Sequence, residues 1–144
     1  MTQIAVQPIV LKDVRLIIGT DNYEKHISKA VLTPNVSIEK KQWQGGTPAT
    51  SFTDVSTPVV DWSLDLDYAQ DWDTTNSLCN YLLTNQGQQK AAKLQPKAGA
   101  AGKTFAVTVT IVPGPIGGSI GDVQTGTVSL PVTGQPTPAS DGTV

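Results

Sequence analysis

Residues 59–68 read VVDWSLDLDY. Trp62, Leu64, Leu66 and Tyr68 alternate with Asp61, Ser63, Asp65 and Asp67. A period of two marks a strand with one face buried and the other in water. Such a strand needs partners with the same pattern, and the chain supplies them. KDVRLIIG at 12–19 sets Val14, Leu16 and Ile18 against Asp13, Arg15 and Ile17. Gly19 and the turn-forming pair Asp21-Asn22 are expected to end it. Residues 25–33 and 36–43 read as two strands bent at Thr33-Pro34-Asn35. FAVTVTIV at 105–112 is β-branched almost throughout and suits burial on both faces. A final strand over 123–132 puts Val128, Leu130 and Val132 on one side.

Helical spacing occurs in one place, about residues 74–87. Asp73 or Thr74 can cap the first turn, Leu78, Tyr81 and Leu82 form an apolar stripe, and Gly87 suits a left-handed C-terminal cap. KAAKLQPKAGAAGK at 90–103 reads as a possible extension of the helix that gives way to a loop at Pro96. PGPIGGSIG at 113–121 reads as a wide, flexible turn. The pattern predicts one domain over residues 1–144, mainly β: an antiparallel sandwich or barrel of six or seven strands with one flanking helix. Three segments stand apart. Residues 1–11, MTQIAVQPIVL, are uncharged and apolar, with Pro8 favouring an extended arm. Residues 44–58 read as a long loop whose apolar Phe52 and Val55 suggest docking. Residues 134–144 have the composition of a flexible tail.

Composition narrows the function classes. Ten Lys and Arg against twelve Asp and Glu give a net charge of -2. That argues against a generally basic nucleic-acid binder. One Cys and one His leave no internal disulfide and no Cys/His zinc site. No apolar run approaches a membrane-spanning length, and the N-terminus lacks signal-peptide features, so the chain is expected to remain in the cytosol. His26 would have to serve any Ser-His-Asp arrangement, yet no glycine-elbow serine accompanies it. Cys79 reads as a small buried hydrophobe, and GPIGGSIG lacks the setting of a phosphate loop. Asp65 and Asp67 would stand about 7 Å apart, but no aromatic cluster shares their face to form a sugar cleft. The expectation is a chain that is not an enzyme and has no cofactor or metal.

The acidic face itself has three readings: a solvated strand surface, the lining of a negatively charged, water-filled space, or metal binding, for which three acids without a Gly-hinged loop make a poor calcium motif. Charge is also segregated along the chain. Asp54, Asp61, Asp65, Asp67, Asp71 and Asp73 lie in a stretch without bases; Lys90, Lys93, Lys97 and Lys103 lie in one without acids. Blocks of this kind are either solvated or complementary between copies packed head to tail.

WSLDLDYAQDW at 62–72, followed by TTNSLCNYLLTNQG at 74–87 and the β-rich stretch from Phe105 to Pro136, resembles the major tail tube proteins of long, non-contractile-tailed bacteriophages. The likeness covers most of the chain as an order of elements, without the immunoglobulin-like domain that some relatives append. It implies a structural virion protein, assembled in the host cytoplasm, whose hexameric rings stack into a hollow tail tube for DNA delivery. The implied partners are further copies of the chain, a tape-measure protein, tail tip and tail terminator proteins, and double-stranded DNA passing without specific binding. On this resemblance Asp61, Asp65 and Asp67 are lumen candidates. Phe52, Asp54 and Val55 are candidates for contacts between rings, and Ile4, Val6 and Ile9 for arm contacts between subunits. The alternatives are another small virion part (tail terminator, head–tail joining or capsid decoration protein) or the tube protein of a secretion apparatus.

Overall fold

A computed structural model describes residues 2–6, 8, 10–12, 14–44, 51–55, 58–96 and 103–139. Seven strands form one antiparallel sheet. In chain order these are β1 (Arg15–Ile18), β2 (Asp21–Asn22), β3 (Ile27–Ser37), β6 (Val59–Ala69), β7 (Gln89–Gln95), β8 (Thr104–Thr110) and β9 (Thr125–Ala139). Their spatial order is β2-β1-β7-β8-β9-β6-β3. A separate two-stranded sheet pairs β4 (Lys40–Gln44) with β5 (Ser51–Val55), and one helix, α1 (Leu78–Thr84), joins β6 to β7. The chain is thus mainly β with one flanking helix, as the alternating strand demanded.

One apolar cluster holds the sheet. Leu64, Leu66 and Tyr68 of β6 meet Leu16 and Ile18 of β1, Val107 and Val109 of β8, and Val128 and Leu130 of β9. Ala30 and Leu32 of the edge strand β3 pack on the same cluster, as do Leu78, Cys79 and Leu82 of α1. Strands from both sides of the sheet order therefore share one core, and the sheet is curled around it. Each fully buried Leu contributes about 1.5–3 kcal/mol relative to exposure.

Several expectations are corrected. The bend at Thr33-Pro34-Asn35 does not exist: β3 runs straight through, with Pro34 opposite Trp62. β3 is an edge strand, where a proline without an N–H is tolerated. Asp21-Asn22 is not a turn but the short strand β2, paired back onto β1. The reversal falls on Gly19-Thr20, with Gly19 at φ +68°. The helix is shorter than residues 74–87. Asn76 adopts a left-handed φ of +62°, so regular turns begin only after Ser77. The Ser77 hydroxyl makes no capping bond and donates instead to the Asp71 carbonyl. Gly87 does take the left-handed conformation, and its N–H donates to the Ile111 carbonyl.

Residues 89–95 are not a helix extension but β7, laddered to β1 on one side and β8 on the other. Alanine and lysine favour helix only as a weak local preference, and two flanking ladders override it. Nor do residues 134–139 belong to a flexible tail. β9 continues to Ala139 by pairing with β8, across a bulge where Gly134 has φ +82°. Beyond Val132 it has left β6, so Pro136 and Pro138 sit where only one side needs ladder hydrogen bonds. Residues 140–144 lie outside the described residues.

Candidate assembly surfaces

The acidic strand face is a built surface. Asp65 lies opposite Val31 of β3 and Ser129 of β9, and it accepts hydrogen bonds from both flanking strands. Ser129 Oγ donates to Oδ1 at 2.6 Å, Thr33 Oγ1 to Oδ2 at 2.7 Å, and Ser63 Oγ to Oδ1 at 3.4 Å. Asp67 Oδ1 accepts from Thr127 Oγ1 at 2.9 Å. Period-two geometry brings these groups together, since residues paired across adjacent strands point to the same face. Partial burial alone would raise the Asp65 pKa. The hydroxyls of Ser129, Thr33 and Ser63, with the positive charge of Lys29, outweigh that and hold it below the ordinary aspartate value.

A lowered folded-state value means the ionised carboxylate stabilises the fold above the ordinary aspartate pKa. That contribution is lost as pH falls through the lowered value. Asp65→Asn is expected to cost about 1 kcal/mol at neutral pH, since charge-assisted bonds weaken while solvent access limits the loss. Urea unfolding checks this, and the gap to the parent protein narrows below about pH 4.

Asp61 is exposed nearer the end of β6, opposite Asn35. At the other end of the sheet, the alternation that buries Leu16, Ile18, Ala92 and Leu94 turns Arg15 and Lys93 toward the same outer face. On this face acids lie on β6 and bases on β1 and β7, with hydroxyls between them, while Lys29 on the edge strand β3 sets one base beside the acids. The expected charge segregation thus acquires a direction across the sheet. Lys90 is half-buried, Lys103 is exposed just before β8, and Lys97 lies outside the described residues.

A second surface is a projecting hairpin. β6 pairs with β9 only from Trp62 onward, so Asn35–Ser37 and Val59–Asp61 extend past β9 as a two-stranded ribbon. β4 and β5 continue the excursion as their own sheet, from Lys40 opposite Val55 to Gln44 opposite Ser51. Residues 44–58 are therefore not simply a loop: Phe52, Asp54 and Val55 belong to a strand, and residues 45–50 lie outside the described residues. The ribbon leaves Val36, Ile38, Trp43, Val60 and Val59 exposed, the last at 59%. Phe52 and Val55 are the apolar residues expected here from the sequence, with Asp54 beside them. The closely spaced valines at 59–60 were the available signal for an apolar ribbon.

The third surface is the N-terminal arm. Residues 2–6 have no regular structure, and Ile4 and Val6 are 89% and 84% exposed; Ile9 lies outside the described residues. In an extended chain Ile4, Val6, Pro8 and Val10 share one side. Beside the arm's exit lies an apolar groove of about 530 Å³, with Leu11, Leu32, Trp62, Phe105 and Pro138 among its walls. The 113–121 turn, expected to be flexible, is tied down. The Gln70 side chain accepts from the Gly117 N–H at 2.9 Å and donates to the Gly117 carbonyl at 3.0 Å and the Thr125 carbonyl at 2.7 Å.

The chain gives no match to models of known protein families or to curated proteins. Cys79 is buried and donates to the Asp71 carbonyl, and the half-buried His26 stands edge-on to Tyr23 with ring centroids 5.7 Å apart. Asp71 caps its own turn. The Thr74 hydroxyl and N–H, together with the Asp73 N–H, hold its carboxyl below the usual range, assisted by His26. Among the described residues no three His, Cys, Asp or Glu side chains are grouped to hold a metal ion, and no helix is long and apolar enough to cross a membrane.

Proposed function

We propose that this chain is the repeating subunit of a phage tail tube, closing into hexameric rings that stack around a DNA-conducting bore. The observation that carries the reading is the β3–β6 ribbon, which leaves the body of the sheet and holds apolar side chains in water. Contiguous exposed apolar surface of this kind marks a protein–protein contact. The β4–β5 tip and the arm extend it, giving contacts between rings. Around a ring the polarised face favours head-to-tail neighbours, because the acidic side of one copy meets the basic side of the next.

With β6 lining the bore, Asp65 and Asp67 face the DNA from within a layer of hydroxyls. Duplex DNA carries a charge about every 1.7 Å, so fixed carboxylates keep it hydrated and unattached, while screening over about 8 Å keeps the repulsion short-ranged. No bond has to break. The fold serves by shape.

Electron microscopy of the purified protein at rising concentration tests the proposal. Hollow tubes are expected. Isolated rings would favour a terminator or secretion-type ring, and persistent monomers a decoration protein. Tubes of a doubly substituted Asp65→Lys, Asp67→Lys variant are further expected to retain duplex DNA in co-sedimentation at low salt and release it near 0.5 M, where screening is strong. Equal DNA recovery with parent and variant tubes would remove these residues from the bore.

A further inference from the structure

We propose that the apolar groove at the open end of the sheet is the seat for the N-terminal arm of a second copy of this chain. This builds on the reading that copies associate, and it names the surface that receives the arm. The groove and the arm match in three respects. First, every residue lining the groove is uncharged, and residues 1–11 carry no charged side chain. An uncharged cleft selects against a charged peptide, because burying an unpaired charge there is costly. Second, the arm's apolar residues recur at every second position: Ile4, Val6, Pro8 and Val10. An extended segment thus offers a single apolar edge, and Gln135 on the rim is available to bond its backbone. Third, the chain's own Ile4 and Val6 stand in solvent while its own groove is open.

Leu11 lies on the groove wall, so the arm begins beside the groove, yet its Ile4 and Val6 stand in solvent and do not fill it. Pro8 favours an extended segment, the form in which an arm can reach a neighbouring copy. The apolar surface also runs outward from Trp62 to Val60 and Val36 on the ribbon, so a longer stretch of arm finds continuous contact. Exchange of this kind between identical subunits is a low-cost route to assembly, because it uses surface the monomer already presents.

Disulfide trapping tests the seat on the full chain. A Val6→Cys protein is mixed with a Gln135→Cys protein under mild oxidation, so any bridge between positions 6 and 135 joins two molecules. That bridge is expected, whereas Val6→Cys mixed with Ser119→Cys, on the distant 113–124 loop, should give none. A second arm uses Pro138→Asp, which puts a charge on the exposed rim: loss of assembly with unchanged thermal unfolding is expected. The proposal is overturned if the doubly substituted single chain closes its bridge within monomers at high dilution. It is also overturned if positions 6 and 135 bridge no better than 6 and 119, or if Pro138→Asp assembles normally. Failure of the tube reading is distinguishable, since arm exchange into closed dimers would keep the bridge and abolish tubes. Normal tubes without the bridge would do the reverse.

Discussion

Gly114→Ala is expected to destabilise the subunit by about 3 kcal/mol, and Tyr68→Phe in the same chain to restore a large part of the loss. Tyr68 is 1% exposed and its ring lies between two glycines of the β8–β9 connection and β9. A methyl group on Gly114 would overlap the Tyr68 hydroxyl, and the next nearest atom, Cζ, would be 3.0 Å away. On Gly126 the same addition would meet Cζ at 2.9 Å and the Pro115 ring at 3.3 Å. The ring cannot retreat, because Leu66, Val128 and α1 complete the core around it. The Tyr68 hydroxyl finds no hydrogen-bond partner among the described residues, and burial, with Cys79 nearby, raises its pKa. Removing it relieves the overlap without breaking a bond, so Tyr68→Phe alone is expected to be neutral or slightly stabilising. Urea unfolding of the two single variants and the double variant gives the coupling. Strict additivity would mean that the glycine is required for backbone reasons and not by the tyrosine.

Cutting the hairpin back has the opposite profile, with a large effect on assembly and a small one on the fold. Joining Ile38 to Pro58 through Asn-Gly removes β4, β5 and their connection. The seven-stranded sheet and its core keep every strand, because β4 and β5 pair only with each other. The shortened ribbon ends near the pair Ser37–Val59, where a two-residue turn suits antiparallel strands. Unfolding free energy should stay within about 1 kcal/mol of the parent, since the excised strands make no ladder with the seven-stranded sheet and Glu39–Trp43 are exposed. Tubes should be absent at concentrations where the parent forms them, and analytical ultracentrifugation with microscopy measures this. Normal tubes from the trimmed chain would show that ring stacking uses other surfaces.

The acidic strand shows how far local pattern reaches. Alternation in VVDWSLDLDY separated a buried face from an outer one, and the structure has Leu64, Leu66 and Tyr68 in the core with Asp65 and Asp67 outside. Trp62, expected in the core with them, is only half-buried and lines the groove, because β6 is leaving β9 there. It did not reveal that Asp65 is held by Ser129 and Thr33. These hydroxyls lie 64 and 32 residues away in sequence, and only register brings them alongside. The projecting ribbon was hidden for a related reason. Polar residues with glycine and proline look alike in a loop and in a short two-stranded tip, because a pair of strands outside the main sheet need not write a period into the sequence.

β8, expected to be buried on both faces, exposes Thr108 on one, and the helix stops at Asn85 rather than at Gly87. What the sequence by itself determined was the β class, the inward residues of β1, β6 and β9, and the left-handed conformation of Gly87. Each is a short-range matter: side-chain alternation, β-branching, or the freedom of a residue without a Cβ. Tertiary structure alone decided that the Ala- and Lys-rich stretch at 89–95 is a strand, that Pro34 sits within one, and that β9 runs on through Pro136 and Pro138. In each case the local preference is worth well under the free energy of the ladders and burial that override it, or the proline falls where no second ladder is required. The groove belongs to this second group as well: its walls come from the segment before β1 and from β3, β6, β7, β8 and β9, and it exists only because the sheet curls those strands around a common core.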